Sequence, residues 1–425
     1  MKNKKEIGMY MIANYAYIGI NAISNLFVSQ MLGPSILGAI SYFNAIDSNL
    51  NSFVLGIIRS SMEREIPQIF DDVEKKEFGE KAFTLNLILI SIFSLLYLTI
   101  GVFSSSTVMY QCAMWVCVLS FIKGLYDCCR IWHKSNFNIL EVSYIMLITA
   151  FAIPPIVLIL SFYYSYNGFW FGRILLVLVS LAVIYKWMPS FKLKKINQSF
   201  IRHIIVSGGP IILLGFIQTV YQTFDKYIIN YRLGLEELGY YSIGAMAFSM
   251  MLLLPQSFVG AIFPRFVARK DEDLKSLVFK YSTIIQLTTV ALSIIGLNFL
   301  PGIIRWCLPQ YEPSIPVLKM FFIGFVAYSS CQMKYVDLIR TKRIKELLSY
   351  STIPFIISII LFCIYAVKTY NIIDMAFLTS INFFMLSTAI NIAWCKANRL
   401  TIVDTIKNIS IHFIFCIFII IISFL

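Results

Sequence analysis

Long apolar segments without a charged residue constrain this chain more than any other feature. They include residues 7–46, 82–122, 142–172, 281–304, 347–367, 375–395 and 408–425. About 20 apolar residues in helical form are enough to cross the hydrocarbon core of a bilayer. Lipid offers no partner for unpaired backbone groups, and helices satisfy theirs internally. The sequence therefore predicts an all-α polytopic membrane protein.

Twelve core membrane-spanning helices fit these segments. They are predicted at residues 8–31, 36–58, 82–103, 107–129, 139–163, 168–187, 204–228, 238–260, 281–304, 317–338, 347–367 and 372–394. A candidate thirteenth helix at residues 406–425 would place the C-terminus outside. The basic residues 2–5 lead directly into the first segment without a small-residue cleavage site. We therefore predict a retained first helix and a cytoplasmic N-terminus.

The basic residues are concentrated in every second predicted loop. Of the 35 Lys and Arg residues, 29 lie in groups at residues 2–5, 59–81, 123–134, 186–202, 265–280, 334–345 and 396–407. Cytoplasmic loops of membrane proteins are enriched in Lys and Arg. The alternation therefore supports both the helix count and the orientation. It also attributes the net charge of +13 to membrane topology rather than to nucleic-acid binding.

A short motif occurs twice. Residues 32–41 and 233–242 both follow the pattern L-G-x-x-x-L-G-x-x-S, at an offset of 201 positions. This predicts one six-helix unit used twice, with both copies in the same orientation. The predicted segments are an N-terminal lobe at 1–188, a basic cytoplasmic linker at 189–203, a C-terminal lobe at 204–395 and a C-terminal extension at 396–425.

Polar side chains recur at steps of three and four residues on predicted helices 1, 2 and 7. Asn21, Asn51 and Gln222 belong to these stripes. Such spacing places each stripe on one helix face. Hydrogen bonding within a packed bundle is one explanation. Because the stripes occupy corresponding helices of the two repeats, we favour the other, an aqueous cavity between the lobes.

Charged residues within the predicted helices need a partner or a cavity. A charge at the bilayer centre costs about 2.5–3.5 kcal/mol on insertion scales. Asp47 lies near the middle of helix 2, where it either pairs with a basic residue of another helix or lines the cavity. Lys123 and Asp127, near the inner end of helix 4, are predicted either to pair with each other or to face the substrate.

Other charges lie near predicted helix ends. Arg59, at the inner end of helix 2, is either a positive-inside anchor or a ligand, and Asp225-Lys226 ends helix 7 on the outer side. Lys334 and Asp337, three residues apart, are predicted to pair with each other. Arg173 and Lys319 are predicted interface anchors.

Motifs for covalent chemistry are absent from the sequence. There is no glycine-rich phosphate loop with a lysine, no nucleophile–base motif and no His/Cys ligand spacing. We therefore expect no cofactor and no metal. The chain is predicted to move a molecule rather than to make a bond, with a proton or sodium gradient as the candidate energy source.

The hinge after helix 7 resembles that of a known family. An Asp-Lys pair at 225–226 ends an apolar helix, and L-G-x-x-x-L-G-x-Y at 233–241 opens the next. This is similar to the polysaccharide-exporter branch of the multidrug/oligosaccharidyl-lipid/polysaccharide (MOP) superfamily. Size and layout resemble a Wzx-type O-antigen flippase. Only the hinge motifs are specific, although the order of helices matches along most of the chain.

The resemblance implies a flippase for undecaprenyl-diphosphate-linked oligosaccharide in the bacterial inner membrane, working by alternating access between two lobes. The implied partners are the lipid-linked oligosaccharide, membrane lipids, a polysaccharide polymerase and a chain-length regulator, with no nucleic acid. Alternatives are a drug/cation antiporter or a lipid II flippase of the same superfamily, or a polytopic glycosyltransferase or polymerase.

Basic side chains suit a diphosphate, and amides suit sugar hydroxyls. The predicted substrate-binding residues are Arg59, Lys123, Asp127, Lys226, Asn21, Asn51 and Gln222, and the predicted coupling residues are Asp47 and Asp225.

Overall fold

The computed structural model describes residues 2–104, 106–136, 139–186, 191–268, 274–341, 343–368 and 371–401, and positions 410, 413–417, 419 and 421. All the regular structure in these residues is helical. Among these residues, seven helical segments are long and apolar enough to cross a membrane. The predicted class, an all-α polytopic membrane protein, is confirmed. The count of twelve crossings stays a prediction.

Two compact units divide the chain, Met1–Thr219 and Val220–Leu425. The helices of the first unit are α1 (Lys2–Leu32), α2 (Pro34–Leu50), α3 (Gly56–Glu65), α4 (Asp72–Val102), α5 (Thr107–Ser135), α6 (Ile139–Lys186) and most of α7 (Gln198–Tyr221). A π-helical turn, Asn51–Leu55, joins α2 to α3. A positive φ of 49° at Ser165 interrupts α6 between predicted helices 5 and 6.

The second unit begins within one interrupted membrane segment and contains another. Its helices are α8 (Phe224–Arg232), α9 (Leu235–Ala268), α10 (Leu274–Cys307), α11 (Ser314–Ser329), α12 (Gln332–Arg340), α13 (Ile344–Lys368) and α14 (Ile372–Ala397). Breaks at 222–223 and 330–331 separate α7 from α8 and α11 from α12. Each of the twelve predicted segments overlaps one or two of these helices. The candidate thirteenth, 406–425, lies largely outside the described residues, and the predicted lobe boundaries stay predictions.

The repeated motif has the same local conformation in both copies. Gly33 has φ +79° before α2, and Gly234 has φ +90° before α9. The carbonyl oxygen of each glycine accepts a hydrogen bond from the leucine N–H four residues later, at 3.1 Å for Gly33 and 3.2 Å for Gly234. Because L side chains disfavour positive φ, this turn explains why both copies have glycine here.

Each unit has its own apolar core. In the first, Trp132 of α5 packs with Ile58 and Met62 of α3 and with Ile204 of α7. In the second, the ring of Phe248 on α9 lies 5.4 Å from Phe321 of α11 and 4.9 Å from Phe383 of α14. These contacts hold the helices that present the polar residues described next.

Candidate functional site

Asp47 is held by side chains from two other helices of the first unit. Its Oδ2 accepts a hydrogen bond from Nζ of Lys123 on α5 at 2.9 Å. Its Oδ1 accepts from Ser120 Oγ on α5 and from Tyr97 OH on α4, both at 3.1 Å. Tyr97 is 1% exposed, and its ring packs against Phe43. Asp47 thus pairs with a basic residue of another helix, as one of its two predictions states, and it also lines a cavity within the first unit.

A polar cavity of about 180 Å³ adjoins this pair. Its lining residues are Asn21, Asn44, Asp47, Val116, Leu119, Ser120, Lys123, Trp170, Arg173 and Val177. Two of them are cationic and one is anionic, which leaves an excess positive charge beside two amides. A cavity of this size can accept a phosphate group or another small polar group.

Arg173 lines this cavity, and its role as an interface anchor stays a prediction. It lies on the part of α6 beyond Ser165, with its guanidinium carbon 4.8 Å from the centre of the Phe169 ring. The sequence signal was a single arginine within an apolar run. Such a signal does not tell which way the helix face points.

Asp127 does not pair with Lys123, so that predicted local ion pair is wrong. Its Oδ2 lies 3.4 Å from Nη2 of Arg59, and its Oδ1 lies 3.2 Å from Nη2 of Arg130. Two arginines therefore share one carboxylate, and the cluster has an excess positive charge. Within the described residues, Nε and Nη2 of Arg59 are buried without a hydrogen-bond partner. Such donors suit an anion that can approach them.

One face of α5 connects the cavity to this arginine cluster. It presents Ser120, Lys123, Asp127 and Arg130 at steps of three and four residues. Lys123 pairs with Asp47 on α2, and Asp127 pairs with Arg59 on α3. In each segment the residue of the Asp47–Lys123 pair comes earlier in the chain than the residue of the Arg59–Asp127 pair. The two membrane segments therefore run in the same direction. That direction is the one expected of predicted helices 2 and 4.

Asn51 lies at the π-helical turn between α2 and α3. Its Nδ2 donates to the backbone carbonyl of Asp47 at 2.8 Å. A neighbouring hydroxyl, Ser52 Oγ, is 2.8 Å from Oγ1 of Thr219 on α7. Asn51 therefore lies four residues after Asp47, which lines the cavity, and its amide nitrogen is hydrogen-bonded within its own helical segment. Its predicted contact with sugar stays a prediction.

Asp225 is the centre of a buried hydroxyl network in the second unit. It is 2% exposed and follows the break between α7 and α8. Its Oδ2 accepts from Tyr241 OH on α9 and from Thr379 Oγ1 on α14, and its Oδ1 accepts from the backbone N–H of Lys226 at 2.8 Å. Gln222 is exposed in the break itself. These three predicted site residues thus lie together, in a different unit from Asp47.

The predicted pair of Lys334 and Asp337 is also wrong. Asp337 Oδ1 accepts from Arg340 at 2.8 Å, and its Oδ2 accepts from Trp394 Nε1 at 2.8 Å. Lys334, which is 3% exposed, donates to Oδ1 of Asn391. Arg340 is three residues from Asp337 on α12 itself, whereas Trp394 and Asn391 come from α14. The position of α14 relative to α12 depends on packing between distant segments, which the spacing within α12 does not show.

Comparisons with known proteins agree with the hinge resemblance. Residues 73–269 match a family model described as polysaccharide biosynthesis protein. The putative O-antigen transporter of Shigella flexneri is 24% identical over 340 residues, which covers 75% of this chain and 80% of that protein.

Solved structures share the fold. The lipid II flippase MurJ in an inward closed conformation superposes with a TM-score of 0.71 at 15% identity, covering 97% of each chain. A mutant of the Vibrio cholerae MATE transporter VcmN superposes with a TM-score of 0.64 at 13% identity, covering 93% of this chain and 96% of that one. These matches confirm the resemblance to Wzx-type flippases. The relative and the solved structures named here are transporters or flippases rather than enzymes.

Proposed function

We propose that this chain, similar in sequence to O-antigen transporters and in fold to MOP transporters, translocates an undecaprenyl-diphosphate-linked oligosaccharide across the bacterial inner membrane. The observation that supports this substrate best is the cationic, amide-lined cavity inside the first unit. The predicted cytoplasmic N-terminus belongs to the same proposal. So does cooperation with a polymerase and a chain-length regulator.

The cavity chemistry suits the polar part of such a lipid. A diphosphate that leaves water must exchange its hydration for cationic partners. Lys123 on α5 and Arg59 on α3, which pairs with Asp127 of α5, can supply them. Asn21 and Asn44 can bond sugar hydroxyls. At about 180 Å³, the cavity admits only one group at a time in this state, so alternating access would have to enlarge it. The prenyl chain would stay in lipid.

Coupling is proposed to act through the Asp47–Lys123 pair. When Asp47 binds a proton, it no longer holds the ammonium of Lys123 by charge, and Lys123 can then pair with a phosphate. Release of the proton would restore the pair and displace the phosphate. Asp225 is the equivalent candidate in the second unit, because it is buried among hydroxyl groups. Either proton or sodium would serve such carboxylates.

A drug/cation antiporter is the main alternative. A cationic substrate in this cavity would meet Lys123 and Arg173, and Asp47, the only acidic group among the described lining residues, is already paired with Lys123. Like charges at close range are unfavourable, so the lining favours an anion over a cation. A lipid II flippase remains a second candidate, because MurJ shares the fold.

Deletion of the gene in its native host separates these functions. We expect loss of surface polysaccharide and accumulation of diphosphate-linked oligosaccharide that a glycosidase added outside cannot reach. The deletion should be viable and should be complemented by the gene. Unchanged polysaccharide with increased sensitivity to cationic dyes would favour an antiporter. Arrest of cell-wall synthesis would favour lipid II.

A further inference from the structure

A second, larger pocket lies at one end of the second unit, where α13 begins and α14 ends. Its volume is about 600 Å³. The residues that line it are Arg343, Lys345, Glu346, Ser349, Tyr350, Ile353, Ala393, Lys396 and Ala397. They come from the first turns of α13 and the last turn of α14. The candidate site described above uses none of them.

The lining favours an anion. Arg343, Lys345 and Lys396 outnumber the single acid, Glu346. Nη1 of Arg343 donates to the carbonyl oxygen of Ala397, which ties the start of α13 to the end of α14. The ammonium of Lys396 lies 5.6 Å from the centre of the Tyr350 ring. Lys, Arg and Tyr together at helix ends are typical of the headgroup level of a membrane.

An exposed apolar face continues from the pocket along α13. From Ser349 it follows steps of three and four residues through Ile353, Ile357, Ile360 and Ile364. Ile353 is 62% exposed and Ile364 is 50% exposed. In a membrane protein such a face contacts acyl chains. The basic pocket therefore leads directly onto an exposed apolar helix face.

We infer that this pocket binds the phosphodiester headgroup of an anionic phospholipid, with an acyl chain along the isoleucine face. The volume suits a glycerophosphate headgroup rather than a bare ion. The basic residues belong to groups that the charge pattern places on the cytoplasmic side, where anionic lipids attract basic segments and basic pockets between helices bind their headgroups.

Native mass spectrometry of the full-length protein in neutral detergent tests this binding. Dioleoylphosphatidylglycerol and dioleoylphosphatidylethanolamine, which share acyl chains, are added at equal concentration. We expect preferential retention of phosphatidylglycerol. Lys345→Gln with Lys396→Gln should lower its affinity about 30-fold, since each basic residue near an anionic lipid is worth about 1 kcal/mol. Ser349→Trp should also reduce binding, because a large side chain would fill the pocket without changing its charge.

The matched control is Lys195→Gln with Lys280→Gln, which removes the same charge at exposed positions outside the pocket. This control should retain phosphatidylglycerol as the wild type does. Equal retention of the two lipids, or equal losses in the control and the pocket variants, would overturn the inference. So would stoichiometric displacement of phosphatidylglycerol by undecaprenyl phosphate, because the pocket would then be a site for the cargo lipid.

Discussion

Asp47 and Lys123 form an ion pair in which one side chain is mostly buried and the other is exposed. The side chain of Asp47 is 13% exposed, and that of Lys123 is 46% exposed. Asp47 also has two hydroxyl donors, so it is fully bonded without help from a substrate. Lys123 faces the cavity, where an incoming anion can compete for it. The two residues thus differ in role, although a sequence shows only two charges within a membrane.

Single substitutions in this pair should cost more than the double substitution. Lys123→Gln or Asp47→Asn should each destabilise the protein by about 1–3 kcal/mol, because one partner keeps an unpaired charge. Asp47→Asn with Lys123→Gln should restore the midpoint of thermal unfolding in detergent, measured by intrinsic fluorescence. Polysaccharide export should nevertheless stay lost. Export at the wild-type level by the double variant would exclude Lys123 as a phosphate ligand.

Arg59 allows a cleaner separation of function from stability. Asp127 keeps Arg130 as a partner when Arg59 is replaced. The free energy of unfolding of Arg59→Ala should therefore lie within about 1 kcal/mol of the wild-type value. Export should fall at least about tenfold if Arg59 binds phosphate, the loss expected from one charge-assisted hydrogen bond. Arg59→Lys should retain part of the activity, because the charge remains while bidentate geometry is lost.

Lys194→Ala with Lys195→Ala is the control for this experiment. Both lysines are exposed in the stretch before α7, and their loss changes net charge without touching the cluster. If surface polysaccharide falls as much in this control as in Arg59→Ala, then Arg59 is a positive-inside anchor only.

Which residues are charged could be predicted from the sequence, but their partners could not. The spacing of Lys123 and Asp127 favours a local pair on one helix face, and the structure replaces it with two pairs to α2 and α3. The partner of Lys123 lies 76 positions away in the chain. Such a pairing depends on how each helix is rotated about its own axis, and that rotation follows from packing over the whole unit.

At the scale of helices, the two glycine turns behave as a matched pair. Gly33→Ala and Gly234→Ala should each lower the free energy of unfolding by about 1–2 kcal/mol, because an L residue is strained at positive φ. A Cβ would meet no atom within 4 Å at either position, so the strain is in the backbone alone. Unfolding midpoints in detergent would measure it.

Gly215→Ala is the matched control for these turns. It also has open space around a Cβ, but it lies within α7. Alanine should be neutral or slightly stabilising there. If alanine lowers the unfolding midpoint equally at Gly33, Gly234 and Gly215, then positive φ is not the cause of the destabilisation.

Apolar segments predicted where the helices lie, whereas the interruptions were not predictable from them. The segment at 204–228 is divided at 222–223, and the segment at 317–338 is divided at 330–331. The residues at these breaks, Gln222, Thr223, Ser330 and Cys331, are neither glycine nor proline. Their local preference does not end a helix. The breaks are stabilised by partners from elsewhere, such as Ser282 Oγ donating to the Ser330 carbonyl at 2.7 Å.

For the whole molecule, the charge pattern predicts which exposed positions face the cytoplasm. In a cysteine-free background, Phe70→Cys and Leu193→Cys should react with an impermeant maleimide only after the cells are permeabilised. Phe103→Cys and Trp306→Cys should react in intact cells. All four native side chains are more than two-thirds exposed, so failure to react would reflect the side of the membrane. Labelling of Phe70→Cys from outside would reverse the predicted orientation.

The break at 222–223 has a practical consequence for dividing the gene. The two compact units part at residues 219 and 220, close to this break and beyond the basic stretch before α7. Phe216 and Ile212 of α7 contact Phe53 and Gly56 of the first unit. If the gene is split before α7 and the two fragments are co-expressed, α7 is on a different fragment from its neighbours. If the gene is split after α7, the two fragments should associate better and restore more export, even though the cut lies within a membrane segment.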